Sequence, residues 1–226
     1  PMNTLVRIRR EQLRLYLVTD STLCRGRTLQ DVVAAAVRGG VTCVQLREKE
    51  LGTREFVARA QSLKSLLAPL NIPLVINDRI DVALACQADG VHLGQSDMPV
   101  DLVRKILPPQ VFIGLSVEND QDIAQAIGMD VDYLGISPVF ATPTKTDTQT
   151  PWGLAGLQRA RAMTALPLVA IGGINAGNAA QVSHCGADGL AVVSAICAAD
   201  DPASAATELL SLAQPHFPKE PEPWSQ

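Results

Sequence analysis

Four stretches of this chain concentrate residues that could handle charge: Gln45-Leu46-Arg47-Glu48-Lys49, Asn77-Asp78, Gly94-Gln95-Ser96-Asp97 and the polar segment 137–152 around Lys145. Arg47 and Lys49 suit a phosphate or diphosphate, which an arginine can grip in bidentate fashion. The competing reading pairs them with Glu48 or Glu50 on the surface. Asp78 and Asp97 have no His or Cys nearby, so as a pair they suit a hard cation such as Mg²⁺ that shares its ligands with substrate phosphates. They could instead cap the helices that follow or act as a general acid and base. Segment 137–152 holds five threonines and one lysine. Connections of that length are uncommon in compact domains and often functional, and hydroxyls around a cation suit a phosphate. The alternative is a plain surface linker. Gly172-Gly173 ahead of Asn175 reads as a glycine turn feeding a helix whose N–H groups bind phosphate. His92 and His184 read as structural, since neither has a Ser or Cys partner at a nucleophile spacing.

The elements that must position these residues alternate. Apolar runs at Leu15–Thr19, Cys43–Leu46, Leu74–Ile76, Val91–Leu93, Phe112–Leu115, Tyr133–Ile136, Leu168–Ile171 and Leu190–Val193 predict eight strands. Helical patterns follow at Leu29–Arg38, Thr53–Leu67, Ile80–Cys86, Val100–Ile106, Asp120–Ile127, Leu154–Met163, Ala176–His184 and Pro202–Ala213. Strand–helix alternation implies parallel strands with right-handed crossovers, and runs without polar alternation suit strands covered on both faces. Eight units in about 200 residues fit a single (β/α)8 TIM barrel with its active site at the C-terminal ends of the strands. A doubly wound open sheet is the alternative, but no G-x-G-x-x-G follows the first strand. Ala88-Asp89-Gly90 recurs as Ala187-Asp188-Gly189, with a weaker copy at Val131-Asp132-Tyr133, each leading into an even-numbered strand. These copies read as structural turns.

On this reading the barrel spans residues 14–213, between an N-terminal extension (1–13) and a polar, proline-rich tail (214–226). The cluster Arg7, Arg9, Arg10 and Arg14 reads as a solvated entry segment. A formal charge of −4 argues against a nucleic-acid-binding surface. No run of transmembrane length and no signal peptide is expected. Five widely spaced cysteines without a C-x-x-C pair point to a reducing, cytoplasmic setting rather than to disulfides or a thiolate metal site. The residues at the strand ends form two anion subsites. Arg47, Lys49, Lys145 and a metal make one sized for a diphosphate. Gly173 and Ser194, with Thr142 and Thr144, make the other, after strands 7 and 8 where barrels usually bind phosphate.

Six motifs in this order resemble the thiamine phosphate synthase family. They are Gln45-Leu46-Arg47-Glu48-Lys49, Asn77-Asp78, Gly94-Gln95-Ser96-Asp97, Thr142-Pro143-Thr144-Lys145, Ile171-Gly172-Gly173-Ile174 and Val193-Ser194-Ala195-Ile196. The resemblance implies a transferase of thiamine biosynthesis with two small phosphorylated heterocyclic substrates, a pyrimidine diphosphate and a thiazole phosphate. By analogy Gln45, Leu46, Arg47, Glu48, Lys49, Asn77, Ser116 and Lys145 hold the pyrimidine diphosphate, with Arg47, Lys49, Lys145 and Ser116 as the catalytic set. Asp78 and Asp97 would hold Mg²⁺. Thr142, Pro143, Thr144, Gly173, Val193 and Ser194 would hold the thiazole phosphate. Family members react dissociatively, through a pyrimidine-methyl cation captured by the thiazole nitrogen. No membrane or nucleic-acid partner is implied, and a homo-oligomer is compatible with the pattern. Many relatives carry His two residues after the strand-5 serine, where this chain has Glu118. That departure counts against a thiazole tautomerase, which uses such a His. A non-catalytic phosphate-binding barrel is the remaining alternative.

Overall fold

The computed structural model describes residues 6–141 and 150–214. Eight parallel strands close on themselves in sequence order: β1 (Leu15–Val18), β2 (Cys43–Leu46), β3 (Leu74–Asn77), β4 (Gly90–Leu93), β5 (Phe112–Val117), β6 (Tyr133–Ile136), β7 (Leu168–Ile171) and β8 (Gly189–Val192). The pairing of Leu15, Tyr16 and Leu17 with Leu190, Ala191 and Val192 closes the ring and excludes the open sheet. The connecting helices are α1 (Leu29–Arg38), α2 (Thr53–Leu67), α3 (Ile80–Cys86), α4 (Val100–Ile106), α5 (Asp120–Ala126), α6 (Gly153–Met163), α7 (Ala179–His184), α8 (Ser194–Cys197) and α9 (Pro202–Leu212). Several boundaries shift by one or two residues, and two differences are larger. Residues 176–178 form a turn, because Asn175 and Asn178 bind the backbone there, so α7 starts three residues late. Ser194 opens a single helical turn, α8, that the sequence pattern does not reveal.

Strand side chains alternate between two cores. The larger lies between barrel and helices and is built from Leu, Ile, Val and Ala. The smaller fills the barrel with Tyr16, Val18, Cys43, Val75, Phe112, Tyr133, Val169 and Ala191, plugged from below by Ile8 and Leu13. Closing eight strands leaves little room inside, so glycines face the large rings. A Cβ at Gly90 would lie 2.3 Å from the Phe112 ring, one at Gly114 2.1 Å from Tyr133, and one at Gly135 3.0 Å from His92.

The repeated aspartates prove to be clamps at the bottom of the barrel. Asp89, Asp132 and Asp188 each accept a hydrogen bond, at 2.8 Å, from the backbone N–H of Leu74, Ile113 or Leu168 in the preceding strand. Each backbone N–H of those aspartates donates back to the carbonyl of the same residue. Lys64, Arg104 and Arg161, from α2, α4 and α6, neutralise the three carboxylates. A fourth copy escapes sequence comparison because its carboxylate is a hydroxyl. Thr42 exchanges the same pair of bonds with Leu15, its Oγ1 accepting at 2.9 Å. Of the four N-terminal arginines only Arg9 is exposed as expected; the other three are tied to the barrel. Arg7 bridges Asp130 and Asp132, Arg10 reaches Asp188 and the Ala165 carbonyl, and Arg14 binds the carbonyls of Leu210 and Ala213.

Burial grades these clamps. The Asp188 side chain is 1% exposed and that of Asp89 38%. Asp188→Ala strands Arg161, Arg10 and the Leu168 N–H, and should cost about 3–5 kcal/mol. Asp89→Ala should cost clearly less. Urea unfolding of both variants checks the order; equal losses would contradict it.

Candidate active site

The C-terminal mouth of the barrel opens into a cavity of about 490 Å³. It brings together Gln45, Arg47, Lys49, Asn77, Asp78, Asp97, Ser116, Gly173, Val193 and Ser194. Leu46 and Glu48 are not in it. The two-residue period of β2 continues past its last residue, so Gln45, Arg47 and Lys49 face the cavity while the residues between face the helices. Leu46 is buried in the outer core. Glu48 pairs with Arg59 of α2 at 2.5 Å. Thr142, Pro143, Thr144 and Lys145 lie outside the described residues.

The pairing of Glu48 with Arg59 removes one of the two expected surface partners of Arg47 and Lys49, and Glu50 forms no salt bridge among the described residues. Among the described residues, neither Arg47 nor Lys49 has a side-chain hydrogen bond or salt bridge. Both are close enough to Asp78 to draw its pKa down. Two opposing influences are stronger. Crowding by protein atoms and the adjacent Asp97 carboxylate, which shares a hydrogen bond with it, push Asp78 up to about 6. Neither carboxylate caps a helix: α3 and α4 start after Arg79 and Pro99 with no side-chain cap bond. Asp97 instead accepts from the Gly94 N–H at 2.6 Å. Asp78 has φ +60°, a left-handed conformation that Asp and Asn tolerate better than other residues.

The donor set fits Mg²⁺ held jointly with substrate oxygens. Two hard oxygen ligands face each other at a cost that a cation would relieve, beside cations suited to the same phosphate. No group of three or more His, Cys, Asp or Glu able to hold a metal occurs among the described residues, so an all-protein cage is not on offer.

Opposite the carboxylates, Gly172 (φ +106°) and Gly173 (φ +66°) carry the chain around a turn under segment 138–141. A Cβ on Gly173 would lie 2.9 Å from Phe140 Cβ. The Asn178 side-chain amide donates to the Gly173 carbonyl at 2.9 Å, which fixes the turn. Because α7 begins only at Ala179, the glycines form a free-standing turn rather than the helix start expected from sequence.

The cavity floor holds polar groups that the motifs do not include. Gln45 Nε2 donates to the Tyr16 hydroxyl (2.9 Å), which lies 2.8 Å from that of Tyr133. Tyr133 lies 2.8 Å from His92 Nδ1, and His92 Nε2 is 2.8 Å from Ser116 Oγ. Burial raises both tyrosine pKa values well above 10. Sequence reading set His92 aside as structural and passed over the tyrosines. The signal available was register: His92, Tyr133 and Ser116 each neighbour Gly114 or Gly135 on the adjoining strand. Ser116 lies within β5, which runs two residues further than expected. Glu118 stands just beyond it and does not line the cavity, its backbone N–H donating to Asp122.

Residues 15–196 match the family model described as thiamine monophosphate synthase. A thiamine-phosphate synthase of Albidiferax ferrireducens is 67% identical over 205 residues, covering 91% of this chain and 94% of its own. The Vibrio campbellii thiamine-phosphate synthase is 53% identical over 199 residues, covering 88% and 97%. Among solved structures, a thiamine phosphate pyrophosphorylase from Pyrococcus furiosus superposes with a TM-score of 0.84 at 38% identity, covering 90% of this chain and 96% of that one.

The carboxylate pair has a titration signature. A carboxyl raised from 3.8 to about 6 binds more protons folded than unfolded. Its contribution to stability is therefore lost as pH rises through about 6, the reverse of a salt-bridged aspartate. Asp97→Asn removes the neighbouring charge and should move the Asp78 titration back towards the ordinary range. Carboxyl-carbon NMR titration without metal reads this directly; an unchanged midpoint would mean the pair is not coupled.

Proposed function

The chain belongs to the thiamine monophosphate synthase family, and on that premise we propose that it joins 4-amino-2-methyl-5-(diphosphooxymethyl)pyrimidine to a thiazole phosphate, giving thiamine phosphate and diphosphate. The observation that carries this reading is a facing carboxylate pair beside two cations that have no salt-bridge partner among the described residues, all at the mouth of one cavity. That is an arrangement for a departing diphosphate.

The C–O bond of the pyrimidine substrate breaks with both electrons leaving on the diphosphate. The lone pair of the thiazole ring nitrogen then forms the new C–N bond to the methylene carbon. The nucleophile needs no deprotonation, so no general base is required of the site. Arg47 and Lys49 take up charge as it grows on the leaving group, with Lys145 assigned to the same task by the family resemblance. Asp78 and Asp97 would hold Mg²⁺, which supplies further neutralisation of the diphosphate when bound. Gln45, Asn77 and Ser116 orient the pyrimidine. Gly173, Val193 and Ser194 offer backbone N–H groups and a hydroxyl to the thiazole phosphate, with Thr142 and Thr144 assigned there by resemblance. Leu46 and Glu48 keep a supporting role: their outward side chains hold the β2 exit so that its alternate residues face inward. The substrates are both small molecules. Among the described residues, no helix is long and apolar enough to cross a membrane. The five cysteines are free thiols, which suits a reducing compartment such as the cytoplasm.

An assay with both substrates and Mg²⁺, read as thiochrome fluorescence, should detect thiamine phosphate. Asp78→Asn keeps a residue that tolerates the left-handed backbone, so it should fold while lowering kcat about 10²-fold or more. Full activity in chelator-treated buffer would sink the metal assignment. Arg47→Ala should raise KM for the pyrimidine diphosphate and lower kcat, while Gly173→Ala should chiefly raise KM for the thiazole phosphate. If both variants weaken the same substrate, the division of the cavity is wrong even though the reaction stands.

A further inference from the structure

We propose that Gln45, Tyr16, Tyr133 and His92 form a one-way hydrogen-bond chain that makes Ser116 a hydrogen-bond donor to the pyrimidine ring, with Tyr16, Tyr133 and His92 as positioning residues. The identity of the ring rests on the proposed function; the direction of the chain does not.

Direction follows from proton counting. An amide nitrogen can only donate, and Gln45 Nε2 donates to the Tyr16 oxygen at 2.9 Å. Tyr16 has one hydroxyl proton; besides Gln45 it meets the Cys43 thiol, a weak acceptor, and the Tyr133 oxygen at 2.8 Å, so it donates to Tyr133. Tyr133 must then donate its own proton to His92 Nδ1, also at 2.8 Å. Both phenols keep their protons at any working pH, because burial opposes ionisation. A neutral imidazole that accepts at Nδ1 carries its proton on Nε2, which donates to Ser116 Oγ at 2.8 Å. The Ser116 hydroxyl proton is the one left over, and Ser116 lines the cavity.

The two ends of the chain have opposite polarity. At one end the Gln45 carbonyl oxygen accepts; at the other Ser116 donates, and both residues line the cavity. An aminopyrimidine presents both complements, an amino group that donates and ring nitrogens that accept. The thiazole does not suit the donor end, since a hydrogen bond to its nitrogen would occupy the lone pair that must attack. A serine without a fixed direction could serve either ring. The chain removes that ambiguity from a site at the barrel floor.

Packing holds the chain in register. The His92 ring stacks on Tyr133 with centroids 5.6 Å apart and planes 29° apart, and Tyr133 meets Tyr16 edge-on at 6.0 Å. The absent Cβ atoms of Gly114 and Gly135 leave the space that Tyr133 and His92 occupy.

The test is the tautomer of His92. Protein labelled with [¹⁵N]histidine is examined by NMR without ligand near pH 8, above the ordinary histidine range. The His92 resonances are identified by their loss in His92→Gln. The expected state has a proton on Nε2 and none on Nδ1. A proton on Nδ1, or on both nitrogens, overturns the proposal. Gln45→Glu replaces the only obligatory donor by an acceptor, so Tyr16 must donate towards it and every later bond turns round. The expected result is transfer of the imidazole proton to Nδ1, three links from the substitution; an unchanged tautomer overturns the chain. In kinetics, Tyr133→Phe should raise KM for the pyrimidine diphosphate about tenfold, the worth of one hydrogen bond, with much less effect on the thiazole phosphate. An equal rise for both substrates would show a structural role only. The wild-type spectrum needs neither turnover nor a folded variant. A missing synthase activity would therefore refute the reaction and leave the chain standing, while the reverse tautomer would do the opposite.

Discussion

The narrowness of the closed barrel is the constraint on which the site depends. Its interior cannot take a large side chain from every inward position, so large and absent side chains must alternate between neighbouring strands. Phe112 sits against Gly90, Tyr133 against Gly114 and His92 against Gly135. Phe112 lies lowest, in register with Gly90, and Tyr133 and His92 lie one step nearer the mouth, both in register with Gly114. That upper level is polar, and there the packing problem turns into a functional surface. The rings that fill the barrel are also the rings whose hydroxyls and nitrogens form the cavity floor.

At the mouth, charge is organised by what each group is denied. Arg59 takes Glu48 outward, and among the described residues Arg47 has no salt-bridge partner. Asp78 and Asp97 are left facing each other, near cations too weakly engaged to offset their repulsion. The result is an electrostatically unfinished site that a diphosphate and a divalent cation would complete together. Apart from Glu48 with Arg59, the buried ion pairs that tie strands to helices lie at the opposite end, around Asp132 and Asp188.

Much of this was legible in the sequence, for identifiable reasons. Strands buried on both faces are continuous apolar runs, so β1–β8 could be read within one or two residues. Charged residues at strand ends are easy to see because apolar sequence surrounds them. Orientation was harder. The motif Gln45 to Lys49 gives no sign that Leu46 and Glu48 point away until the strand period is imposed on it. The buried hydroxyls were harder still, since a tyrosine in an apolar run looks like core, and both Tyr16 and Tyr133 are core as well. The arginines at 7, 10 and 14 misled because their partners lie more than a hundred residues away. The start of α7 was misplaced because two asparagine side chains satisfy backbone groups that a helix would otherwise satisfy.

The fourfold clamp bears on how the chain finds this shape. Thr42 with Leu15, Asp89 with Leu74, Asp132 with Ile113 and Asp188 with Leu168 join residues separated by 27, 15, 19 and 20 positions. Each ties an odd strand to the even strand that follows it. Each closes a short loop and carries a small entropic cost, whereas the β1–β8 seam spans nearly the whole chain. Contacts of short sequence separation form early, so the clamps divide assembly into four strand–helix–strand quarters. The seam then needs only to bring finished quarters together, with the N-terminal arginines as its latch. Moving the chain ends to a boundary between quarters would leave all four clamps within continuous chain, whereas a cut inside a quarter would turn one of them into the longest-range contact in the molecule.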